Sequence, residues 1–440
     1  MTVAAIRGDF LHCLRDPGLG GEPSAVAALR DGLLLVRAGR IERLAPAVDL
    51  LPQLGAQVAV HDWRGHLIVP GFVDTHVHYP QVDVIASYGA QLLDWLERYT
   101  FPQEQRFADP EVAADAARFF LEQLLANGTT TASVFCTVHP ASVDAFFAQA
   151  QRLGMLMVAG KCLMDRNAPD GLRDTPDTGD ADSRALIERW HGQGRLRYAI
   201  TPRFAASSSE DQLRRAGQLA REHPDVHVQS HVAENRDEVA WVARLFAQRR
   251  SYLDVYDHYG LLRERAVYAH CIWLDDEDRR RLRDSGTAAS FCPTSNLFIG
   301  SGLFDLRQAL AAGVRVGLGT DVGGGTSYSM LRTLAEAYKV QQLLGTSLHP
   351  AYGLYLATLG GAAALHCDGR IGSFEAGKDA DLAVLDPVAT PLLARRTGLR
   401  DDPLDRFFAL ATLGDDRAVA ATYVAGVARH RRDPPASGHR

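Results

Sequence analysis

The sequence predicts an α/β protein, a (β/α)8 barrel flanked by a small β-sandwich assembled from both chain ends. Three observations carry this. Between residue 67 and about 345, short β-branched runs alternate with amphipathic helical segments, the pattern of parallel βαβ units. Eight strands can be counted, which fits a closed barrel and not an open sheet. The first 65 residues and those after 370 instead alternate in β fashion with almost no helical period.

The barrel strands are expected at 66–74, 128–135, 155–161, 196–202, 226–231, 266–270, 286–291 and 313–320. Helix punctuation follows them. Asp109-Pro110 precedes EVAADAARFFLEQLL, Ser207-Ser208-Ser209 precedes EDQLRRAGQLA, and Gly128 and Gly286 lie just past helix ends. Near the C-terminus SFEAGKDADLAVLD and AATYVAGVARH alternate in β fashion, with Gly377 and Gly426 at turn positions. The expected organisation is a composite β-sandwich of 1–66 with 370–440, and a metal-dependent catalytic barrel over 67–369. The closing residues DPPASGHR have too little apolar area to bury and are expected to fray.

Composition narrows the partners. With 440 residues, 46% hydrophobic and 23% charged, the chain is globular, and no stretch approaches the run of about 18 apolar residues of a spanning helix. A membrane partner is therefore not expected. Lys and Arg number 47 against 53 acidic residues, a net charge of −6. Nucleic acid thus has no electrostatic support, and a small-molecule substrate is expected. Six cysteines without C-x-x-C spacing, and an N-terminus without a signal pattern, point to a reducing cytoplasm.

The chemistry starts in PGFVDTHVHYPQ, where His76 and His78 end the first barrel strand. Residues i and i+2 of a strand share a face, and functional groups converge at the C-terminal mouth of a barrel. Two imidazoles side by side suit an ion such as Zn²⁺. His231 (QSHVAEN), His270 (YAHC) and Asp321 (GLGTD) occupy the same position on strands five, six and eight. Singly, each His could be a core imidazole bonded to backbone and Asp321 a helix N-cap. Jointly they read as one site. By contrast His12, His61, His191, His223, His258, His349, His430 and His439 lie outside strand ends and read as surface or loop residues.

Glu234 lies three residues beyond His231, where a carboxylate can reach a water without ligating a metal, as a general acid/base requires. On charge alone it would be a first-turn helix residue beside the positive dipole end, and the neighbouring ligands favour the catalytic role. Strand four ends in TPRFAASSS and lacks a lysine to bridge a second metal; Lys161 belongs to strand three. One metal is expected. Arg203 brings five donors to the mouth, and Phe204 an apolar face for stacking; the alternatives are a rim arginine paired with a carboxylate and a core phenylalanine. Gln81 offers donor and acceptor to a heterocycle. The long connection between strands one and two, with LLDWLERYTFPQEQRF, is expected to form a lid or pocket wall. The cluster DVGGGTS is not a phosphate loop and permits close backbone approach.

On PGFVDTHVH, QSHVAEN, YAHC, GLGTD and EAGKDADLAVLD, the chain resembles the amidohydrolase superfamily over nearly its whole length. On LLDWLERYTFPQEQRF, NGTTTA, TPRF, SHVAENRDEV, CPTSNLFIGSGLF, GLGTDVGGGTSYSML, ATLGGAAAL and LGDDR it resembles, within that superfamily, the guanine deaminases. The segment 162–183 is only loosely similar. The resemblance implies hydrolysis of guanine to xanthine and ammonia, with one zinc ion per chain on His76, His78, His231 and Asp321. It implies proton shuttling by Glu234 to ring N3 and then to the amine, with His270 and Asp321 orienting the attacking oxygen toward C2. It implies purine contacts from Gln81, Arg203, Phe204, His231, Glu234 and His270, and a homodimer. Three other readings are a deaminase or chlorohydrolase of another purine, a pterin or an s-triazine; a binuclear cyclic-amide hydrolase; and a non-catalytic interaction protein. The complete ligand set speaks against the last, and the missing strand-four lysine against the second.

Overall fold

The barrel strands are buried on both faces almost throughout, as parallel strands covered by helices outside and side chains inside must be. They are β5 (Phe72–His78), β6 (Thr129–Phe135), β7 (Leu156–Gly160), β9 (Arg197–Pro202), β10 (His227–Val232), β11 (Ala266–His270), β12 (Ala288–Phe291) and β13 (Arg315–Leu318). A two-residue strand, β8 (Cys162–Leu163), pairs with β9 off this path. The computed structural model describes residues 3–432 except 56, 90 and 400; the tail DPPASGHR lies outside the described residues.

The strands run in the order β13-β12-β11-β10-β9-β7-β6-β5, parallel throughout. The ring closes past the end of β13, where the Asp321 amide donates to the His76 carbonyl at 2.9 Å and the His78 amide to the Val322 carbonyl at 2.8 Å. Helices start where the capping residues stand. The Asp109 side chain accepts from the Glu111 amide at the head of Pro110–Ala126, and Ser209 accepts from the Gln212 amide at the head of Glu210–Glu222. Gly286 ends the helix Asp276–Ser285 with a φ of 72°, which its missing Cβ permits.

Both chain ends build a single seven-stranded path. β1 (Val3–Cys13), β2 (Val26–Arg37), β3 (Arg40–Pro46) and β4 (Ala59–Pro70) join β14 (Leu382–Leu385), β15 (Val419–Val424) and β16 (Val427–Arg431) in the order β16-β15-β14-β4-β1-β2-β3. Their apolar residues, among them Phe10, Leu34, Ile68, Leu382 and Tyr423, form one cluster. Leu11, Leu67, Ala383 and Leu385 from the same strands belong to the main core, which ties this sheet to the barrel.

Two expectations need correction. The strand expected at 66–74 is divided: residues 66–70 finish β4 in the end sheet, and the barrel strand runs from Phe72 to His78. His76 and His78 therefore lie inside β5. His12 and His61 are not loop residues but lie in β1 and β4, and His12 is buried, accepting the Phe374 amide at Nδ1 (3.2 Å).

Candidate active site

Five strand ends converge on one cavity. Alternation along β5 sends His76 and His78 to the same face, and their Nε2 atoms lie 3.2 Å apart. His231 Nε2 is 3.1 Å from His78 Nε2, and Asp321 Oδ1 lies 3.1 Å from His76 Nε2 and 3.3 Å from His78 Nε2. His270 presents Nε2 at 3.8 Å from the other oxygen of Asp321. His76, His231, His270 and Asp321 each offer a ligand atom within 4.8 Å of all the others. His78 adds a further imidazole to this group.

The local backbone aims these groups. The barrel-closing bonds fix Asp321 beside His76. Beneath them Asp74 accepts the His76 amide at 3.2 Å and the Thr320 amide at 3.0 Å. Gly319 leaves no room for a side chain, since a Cβ there would stand 2.6 Å from Ser290 Oγ and 3.0 Å from the His76 Cβ. His270 and Asp321 hold left-handed φ angles of 71° and 52°. Such strained positions cost of order 1–3 kcal/mol each and gather at functional sites.

Electrostatics and hydrogen bonding set the imidazoles up as acceptors. Burial lowers the pKa values of His76 and His231 and pushes that of His78 down to about 3. His231 Nδ1 donates to the Arg203 carbonyl at 2.6 Å, which leaves the Nε2 lone pair facing the cluster. His270 Nδ1 likewise donates to Asn296 Oδ1 at 2.9 Å. Burial opposes ionisation of Asp321, but the hydrogen bonds and charge shared with His76 and His78 hold its carboxyl well below the usual range. The cluster therefore brings imidazole nitrogens and an ionised carboxylate together, the kind of ligand set a borderline cation requires.

Glu234 stands on the cavity wall with Oε2 at 3.3 Å from His270 Nε2, and Ser301 Oγ donates to its Oε1 at 2.8 Å. Burial, with the charge of Asp321, raises its pKa to about 8. Its amide is fixed by Glu238 Oε2 at 3.0 Å, from a capping box on the helix Arg236–Leu245.

The cavity is also lined by Gln81, Arg203, Phe204 and, from the long β5–β6 connection, Leu92, Trp95 and Leu96. That connection thus forms the expected wall. Arg203 is paired: its Nη1 donates to both oxygens of Glu104, at 2.8 and 2.6 Å, and both side chains are buried. Lys161 is held by both oxygens of Asp174 at 2.7 Å. Every site residue expected from sequence lies in or against this cavity. Glu104, Asn296 and Ser301 were not expected, and no local pattern marks them. Glu238 could have been found, since Asn235 and Glu238 have capping-box spacing.

Residues 67–429 match the family described as the amidohydrolase family. Guanine deaminase of Escherichia coli strain K12 is 50% identical over 426 residues, 97% of each chain. The probable guanine deaminase of Deinococcus radiodurans is 44% identical over 96% of this chain and 97% of its own. Among solved structures, E. coli guanine deaminase superposes with a TM-score of 0.96 at 49% identity, over 98% of this chain and 100% of that one. Guanine deaminase from C. acetobutylicum, with guanine bound in its active site, has a TM-score of 0.87 at 28% identity, over 97% and 100% of the chains.

Proposed function

The chain belongs to the amidohydrolase family, and from that premise we propose that it hydrolyses guanine to xanthine and ammonia. The observation that carries this reading is a single cavity that joins a His/Asp donor cluster and a buried glutamic acid with the donor groups of Gln81 and Arg203. The identity to guanine deaminases over nearly the full chain supports it.

One zinc ion per chain is proposed on His76, His78, His231 and Asp321. Four of the donor-to-donor distances in this set are 3.1–3.3 Å, close to the edge of roughly 3.4 Å in a tetrahedron with bonds of about 2.1 Å. When bound, the ion supplies Lewis acidity and acidifies water at neutral pH.

The chain's own groups do the rest. Glu234 takes a proton from the attacking water, whose oxygen bonds to C2, and delivers it to ring N3. It then takes the remaining proton of the new C2 hydroxyl and passes it to the exocyclic amine, which leaves as ammonia when the C2–N bond breaks and the C2 carbonyl forms. Oε2 facing His270 and Oε1 held by Ser301 keep that carboxyl in reach. Arg203 offers only donors, which suit the C6 oxygen and N7 of guanine and not the amine of adenine. Gln81 binds the ring edge and Phe204 its face. The six cysteines are all buried and free, which supports a reducing, cytoplasmic setting.

Ammonia release by the zinc-loaded protein from guanine, adenine, cytosine and melamine tests the reading. Guanine is expected to be the preferred substrate by orders of magnitude. Preference for any of the others overturns it.

A further inference from the structure

Glu104 lies on the short helix Phe101–Gln105, fully buried, and does not itself line the cavity, whereas both of its partners do. Its Oε1 accepts from Gln81 Nε2 at 3.0 Å, and both of its oxygens accept from Arg203 Nη1. The other end of the Gln81 amide is also fixed, since Oε1 accepts the Gly323 amide at 3.1 Å. A carboxylate can only accept, so this contact decides which end of the Gln81 amide points where. It also occupies Nη1 of Arg203 and so fixes how the guanidinium sits against the cavity. With Arg203 and Glu104 only 3% and 0% exposed, water does little to screen either charge, and the pair cancels locally.

We propose that Glu104 is a positioning and specificity-determining residue: it orients Gln81 and Arg203 toward the purine and cancels the arginine charge, so that the cavity selects an uncharged ring. This rests on the guanine reading of the same cavity. Without Glu104 the cavity would keep its donors but acquire an unbalanced positive charge, and an anionic purine would become the better ligand.

The test uses the full-length zinc-loaded enzyme, with guanine as substrate and urate, an anion at neutral pH, as inhibitor. In Glu104→Gln the KM for guanine should rise roughly tenfold, the effect of one lost charge-assisted hydrogen bond, with kcat much less affected. The inhibition constant of urate should fall several-fold in the same variant. A structural role alone would weaken both ligands together, and that result overturns the proposal. Glu104→Asp keeps the charge but withdraws it from both donors. Here guanine KM should rise while urate inhibition stays at the wild-type level; an unchanged guanine KM overturns the positioning role even if Glu104→Gln does not fold. Failure of the wild type to deaminate guanine would overturn the underlying reading, and the proposal with it, whereas wild-type turnover with unchanged variants would overturn this proposal alone.

Discussion

The Asp321 amide donates to the His76 carbonyl at 2.9 Å, and the side chains of the same two residues meet at 3.1 Å. One of the two bonds that close the barrel therefore also sets the spacing of two donor groups. Strand closure and site assembly are the same structural event, because β13 ends just before the residue that the site needs.

Asp321→Asn separates the two. The amide bond to His76 remains, so the barrel should still close and the thermal transition of the metal-free protein should stay near that of metal-free wild type. The anionic donor is lost. Losing even an outer partner of a metal ligand typically costs about 10- to 100-fold in affinity, and losing a ligand should cost at least that. Elemental analysis should find about one zinc per chain in the wild type and far less in the variant. Full zinc content in the variant would remove Asp321 from the ligand set.

Glu234→Gln should keep the zinc and lose activity. The amide preserves shape and can still accept from Ser301 Oγ, but it cannot take a proton from water. General acid/base groups typically contribute about 10²- to 10⁴-fold. Steady-state kcat should fall by that much with metal content unchanged; zinc lost along with activity would make Glu234 a ligand.

Ser301→Ala removes the donor to Glu234 Oε1 while leaving the Ser301 carbonyl, which accepts from Trp273 Nε1 at 3.2 Å. A hydrogen bond to an ionisable group is worth roughly 1.5–3 kcal/mol, so kcat should drop about 10- to 100-fold. Guanine KM and zinc content should stay put, because Ser301 touches neither in this arrangement. A rise in KM with unchanged kcat would place Ser301 in purine binding instead.

The clustering of His76, His78, His231, His270 and Asp321 was legible because barrel topology converts position along the chain into position in space. A polar residue at the C-terminal end of a parallel strand points into the mouth wherever its strand lies in the sequence. Glu104, Asn296 and Ser301 obey no such rule. Glu104 reaches Arg203 across 99 residues of chain, and Ser301 reaches Glu234 across 67, each from a connecting segment whose path no periodicity encodes. Of the alternative reading of Arg203, a rim arginine paired with a carboxylate, the pair is found but the arginine is buried, and the partner is what the sequence left unnamed. His12 was misread for a related reason. A polar residue within an alternating strand looks solvent-facing, but the segment around Phe374, which arrives from the opposite chain end, packs its ring against His12 and donates its amide to it.

That burial makes His12 a source of acid sensitivity. Desolvation lowers its pKa from 6.5 to about 4, and its Nδ1 accepts the Phe374 amide, so protonation would also break that bond. Between pH 6.5 and 4 the unfolded chain binds a proton at this residue that the folded chain refuses. Stability must therefore fall as pH falls through this window, and the loss is complete below about pH 4. A shift of about 2.5 units corresponds to a ceiling of about 3 kcal/mol, at 1.36 kcal/mol per unit. Asparagine can place an amide oxygen near the position of Nδ1 and does not titrate. Urea unfolding of metal-free wild type and His12→Asn at pH 7 and pH 4 should show the variant losing less stability between the two, by up to that amount. The metal-site histidines titrate alike in both proteins and cancel in the comparison. Equal losses would mean that the proton is taken up elsewhere in the fold and that His12 is accessible to solvent in solution.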